Sequence, residues 1–162
     1  MGQIQTITCM DIVTAIAAAL TAGVLIFAAI YARRQLHSME RAREAQLLVD
    51  LSRRWDEEPL VQSRRAVETY KDTSELWQAL KNLKKKNHEQ YYVLLKVANF
   101  YEDLALLINE KCLTAELVKN MLGDAIKHYY ELYEVTIKEM REKYKSSRIY
   151  ENFEDLAKKV ND

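Results

Sequence analysis

Asp124, His128 and Glu131 stand at i, i+4 and i+7, so one helical face would present two carboxylates and an imidazole to a divalent metal. No second helix completes that set. A di-iron bundle needs Glu-x-x-His on two helices, and neither this spacing nor His-Glu-x-x-His occurs. The triplet therefore reads as surface charge, and no metal is expected. The two cysteines, Cys9 and Cys112, lie outside any zinc-ligand spacing. A phosphate-cradling glycine loop and a Gly-x-Ser-x-Gly elbow are both missing from a chain with only three glycines. The ten tyrosines recur at helical spacing, which core packing explains better than base stacking.

One carboxylate stands apart. Glu102 falls within YYVLLKVANFYEDLALLI, where Leu95, Ala98, Glu102 and Ala105 share a stripe that carries it inward. A buried carboxylate needs a partner or it protonates. Arg64 and Arg65, on a helix that must lie nearby, are the expected partners in a structural ion pair, with a tyrosine hydroxyl as the alternative partner and a ligand-binding or catalytic carboxylate as the alternative role. No catalytic residue and no cofactor are expected, and the chain is read as a non-enzyme.

The elements that position these residues hang on one segment. From Ile12 to Ala32 there is no charge, and at 1.5 Å per residue a helix of this length covers about 31 Å, close to the roughly 30 Å hydrocarbon layer. Residues 1–11 lack Lys and Arg and contain Asp11, which disfavours a cleaved signal peptide. Arg33, Arg34, Arg41 and Arg43 all follow the span, where they would meet anionic lipid head groups. The positive-inside rule then puts the N-terminus outside the inner membrane and the C-terminal part in the cytoplasm. Ala15, Ala19 and Gly23 fall four apart on one face, a small-residue pattern that would admit a second span and give a homo-oligomer.

Beyond the span, three glycines and one proline in 162 residues argue for long helices and short connections. The reading is all-α: 1–11 outside, 12–32 transmembrane, 33–46 a juxtamembrane stalk, and 47–162 a cytoplasmic helical bundle. Pro59 suits the first turn of a second helix with Asp56 as cap, and Asp72 with Glu75 opens a third ending in Lys84, Lys85 and Lys86. A central helix runs from His88 to Glu110. Thr114 caps a short helix carrying Leu117, Val118 and Met121, which Gly123 bends or interrupts. From Asp124 the stripe Ile126, Tyr129, Tyr133, Ile137, Met140 and Tyr144 marks a long amphipathic helix. Ser146 or Ser147 then opens a closing helix with Ile149, Phe153, Leu156 and Val160. Lys plus Arg equals Asp plus Glu at 24 each, so overall charge gives no reason to expect nucleic acid.

Three runs carry a resemblance. Asn99-Phe100-Tyr101-Glu102-Asp103-Leu104-Ala105-Leu106-Leu107, Gly123-Asp124-Ala125-Ile126 with Tyr129-Tyr130, and Tyr150-Glu151-Asn152-Phe153-Glu154 resemble the domain-of-unknown-function family numbered 4760. The likeness extends to Trp55 and the Arg64-Arg65 pair. It implies a small prokaryotic protein with one N-terminal span, and brings no assigned activity. The function expected is a membrane-anchored interaction or scaffold protein with a protein partner of unknown identity. The alternative is a tethered sensor or effector of stress or phage response that signals through association of spans.

Overall fold

A computed structural model describes residues 9–70 and 72–161. The expected outer segment 1–11 lies largely outside the described residues. Among the described residues there are six helices and no strand: α1 Cys9–Asp56, α2 Glu58–Glu68, α3 Thr73–Lys86, α4 His88–Asn109, α5 Ala115–Tyr144 and α6 Glu151–Asn161. The chain divides into two compact units, Met1–Ala45 and Gln46–Asp162.

In the first unit α1 is long and apolar enough to cross a membrane, and none of its most apolar window is buried. Phe27 is 73% exposed. The hydroxyls of Thr14 and Thr21 donate back to the carbonyls of Met10 and Ala17, each at 2.8 Å, so neither is left unsatisfied in an apolar surrounding.

In the second unit α4 is central and touches α2, α3, α5 and α6. Val97, Ala98, Tyr101 and Leu104 are fully buried in it, although Tyr92 and Leu106 are exposed, so its apolar surface is not all covered. The last turns of α1 join this core through Leu51, with Leu48 and Trp55 half-buried. Side chains set the helix ends. Asp72 accepts from the Ser74 N–H at 3.0 Å, and Asn87 both closes α3 and caps α4 by accepting from the Gln90 N–H at 3.1 Å. Pro59 stands in the first turn of α2 as expected, but the capping position is Glu57, whose side chain makes no capping bond, and not Asp56.

The largest departure from expectation is α5, one uninterrupted helix through Gly123. The glycine serves packing: a Cβ there would meet Val160 Cγ1 of α6 at 3.3 Å, so a bare backbone lets the two helices close together. Met121 and Tyr144, expected inward, are 46% and 47% exposed. The closing helix starts at Glu151, later than Ser146 or Ser147, because Lys145 and Tyr150 take left-handed backbone and turn the chain first.

Candidate functional site

Trp55, in the last turn of α1, lies against Phe100 and Tyr101 of α4 and Tyr129 of α5, with ring centroids at 5.4, 5.8 and 6.1 Å. The helix ends one residue later, so its last carbonyls have no intrahelical donors. Arg64 of α2 fills that role. Its Nη2 donates to the Trp55 carbonyl at 2.9 Å while Cζ sits 4.1 Å from the indole centroid, a half-buried cation–π contact. On the same helix Glu68 accepts from the Tyr129 hydroxyl at 2.5 Å. Thus α2, only three turns long, ties the end of α1 to the middle of α5.

Among the described residues the Tyr101 hydroxyl and Arg64 Nε are buried without a hydrogen-bond partner. Burial pushes the Tyr101 hydroxyl well above its ordinary range, with the neighbouring Tyr129 adding to it. Tyr129 is raised by burial first and by the Glu68 carboxylate second. Both phenols therefore stay protonated at physiological pH, and the cluster holds no phenolate that could act as base or nucleophile.

The ion pair expected of Glu102 is not formed. Its Oε1 accepts from Asn152 Nδ2 and its Oε2 from the Phe153 N–H, each at 2.8 Å, so the carboxylate caps the first turn of α6. Arg64 is committed to Trp55, and Arg65 is exposed. Periodicity placed Glu102 and Arg64 on adjoining helices but carried no information on which neighbour each side chain reaches. The same seam continues with Tyr150 donating to Asn99 Oδ1 at 2.7 Å and Asn109 donating to Asn152 Oδ1 at 2.9 Å. Two of the runs that carry the family resemblance therefore meet in space, as the polar edge along which α6 docks on α4. Behind it Phe153 stacks on Tyr101 at 5.0 Å.

The remaining candidates are dispersed. Asp124, His128 and Glu131 are exposed, and no group of three or more His, Cys, Asp or Glu among the described residues could hold a metal ion. Ala15, Ala19 and Gly23 form an open face, with nothing within 4 Å of a Cβ built on Gly23. Arg33, Arg34, Arg41 and Arg43 are exposed along α1. Cys112 is a free, half-buried thiol in the α4–α5 turn. A cavity of about 230 Å³ lies among Leu48, Trp55, Leu104, Val118 and Leu122, and a wider cleft of about 420 Å³ among Gln62, Tyr70, Leu83, Gln90 and Val93. Sequence reasoning missed the Trp55–Arg64 contact and the lysines gathered on Tyr144. The signal for the second was present, since Lys84 lies in the last turn of α3 and Tyr144 ends α5.

A family model for a domain of unknown function, DUF4760, matches residues 13–160. No curated protein and no solved structure matches the chain.

Proposed function

This chain belongs to the DUF4760 family, and on that premise we propose that it is a single-pass, membrane-anchored interaction module whose helical bundle works in the cytoplasm. The observation that carries the reading is α1, whose apolar window is wholly unburied in a chain whose bundle buries a core of large apolar side chains. Exposed apolar surface on that scale is stable only in contact with lipid or another protein. Arg33, Arg34, Arg41 and Arg43, all C-terminal to the span, support the cytoplasmic placement of the bundle and contacts with lipid head groups. The face formed by Ala15, Ala19 and Gly23 supports a homo-oligomer through the span. Binding is favoured over catalysis because the central carboxylate, Glu102, is spent on the α6 backbone and the buried phenols are neutral.

Two measurements test this. The chain should stay in the pellet when membranes are washed with alkaline carbonate. A single cysteine placed at exposed Lys127, in a chain with Cys9 and Cys112 replaced by Ser, should react with an impermeant maleimide only after the cells are opened. Release by carbonate would remove the anchor, and labelling in intact cells would reverse the orientation.

A further inference from the structure

The last turn of α3 carries Lys84, Lys85 and Lys86, one turn after Lys81, and the end of α5 brings Lys143 and Lys145 to the same end of the bundle. Aromatic rings underlie three of these ammonium groups. Lys84 Nζ lies 4.8 Å from the Tyr144 ring centroid and 5.7 Å from that of Tyr91, and donates to the Tyr144 hydroxyl. Lys143 Nζ lies 5.7 Å from the Tyr144 ring, and Lys81 Nζ lies 5.6 Å from that of Trp77. Among the described residues no carboxylate forms an ion pair with any of the six lysines, although Glu89 and Glu142 are exposed in neighbouring turns. In a chain of zero net charge this is a local excess of cation in which Lys81, Lys84 and Lys143 rest on aromatic rings and none of the six is ion-paired. Resting on the reading of the bundle as an interaction module, we infer that this end is a docking surface for an acidic segment of a partner protein, its carboxylates meeting Lys81, Lys84 and Lys143.

The surroundings favour carboxylates over the other polyanions. Lysines already cover faces of Tyr91, Tyr144 and Trp77, so bases would find those ring faces taken, and stacking is where sequence-tolerant nucleic-acid affinity comes from. The six gathered cations are all lysine, whereas arginine is the residue that reads phosphate with two parallel bonds. Its exposed large apolar side chains are Tyr92 and Tyr144, with no exposed Leu, Phe or Trp to enter a bilayer below the head groups. Exposed tyrosine beside fixed charge instead suits a protein contact.

The test uses the full chain in nanodiscs of zwitterionic lipid and a fluorescent peptide of repeating Glu-Glu-Leu. The peptide should bind in a salt-dependent way, and the double variant Lys84→Gln, Lys143→Gln should weaken it by roughly tenfold. The double variant Lys96→Gln, Lys127→Gln, which makes the same charge change on exposed positions elsewhere, should stay within about twofold. Equal loss in both variants, or no binding at all, overturns the proposal. So does tighter binding of an oligothymidylate of equal charge, or preferential displacement of the peptide by phosphatidylglycerol vesicles. Carbonate extraction and maleimide labelling do not involve these lysines, so either inference can fail while the other stands.

Discussion

Arg64 and Glu102 stand on adjoining helices and serve different ends, one holding the Trp55 carbonyl and indole and the other the Phe153 N–H. Arg64→Ala should lower unfolding free energy by about 1.5–3 kcal/mol, the range for losing a charge-assisted hydrogen bond. Glu102→Ala should cost about 1–3 kcal/mol by leaving α6 uncapped. Because the two do not touch, urea denaturation of the double variant should show additivity to within about 0.5 kcal/mol. A coupling well above that would restore the ion pair that spacing alone suggests. Glu154 offers a pH test. Lys158 first and Arg141 second hold its carboxyl below the usual range, so its folded-state pKa lies below its unfolded one. Its contribution is complete at neutral pH, declines below about pH 4.5, and is gone once pH falls through the depressed folded value. Glu154→Gln should therefore lose less of its urea midpoint than the wild-type chain between pH 6 and 3. Such partnerships are the least legible part of the sequence. Periodicity placed Tyr129 and Phe153 inward but could not tell whether a guanidinium would meet a carboxylate or an indole.

At the level of helices the sequence was more informative, because chain-local chemistry decides most boundaries. Asp72 marks α3 through a bond two residues away, and Pro59 marks α2 by its own ring. Gly123 misled, since the local rule reads a glycine as a weak point while its purpose lies on another helix, at Val160. That gives a prediction. In a Val160→Ala background, adding Gly123→Ala should raise stability by about 0.8–1 kcal/mol, the gain in helix propensity. In the wild-type background the same change should give visibly less, because the new methyl group meets Val160 Cγ1 at 3.3 Å. Equal gains in both, read from thermal melts, would show that α5 and α6 have room to spare.

For the whole molecule, the separation of an unburied apolar helix from a covered core was readable from composition alone, since no charge interrupts Ile12 to Ala32. Whether the proposed span also mediates association was not, because small residues four apart arise readily where alanine is common. Crosslinking in native membranes distinguishes the two cases: Gly23→Ile should reduce dimer yield several-fold by blocking close helix approach. Unchanged yield would leave the span as an anchor only. The way α6 closes the core has a consequence for how the protein is made. Phe153, Leu156 and Ala157 are all buried, and Phe153 stacks on Tyr101. A ribosome adding about 5–20 residues per second delivers the apolar stretch of α1 first and needs on the order of ten seconds more to reach Phe153. Throughout that interval the side of α4 destined for α6 has no cover, so, if α1 anchors the chain as proposed, the nascent protein meets the membrane while its bundle is still sticky. Chaperone demand should thus fall once α6 has left the ribosome, and ribosomes stalled before residue 150 should hold chains that a protease cuts within α4.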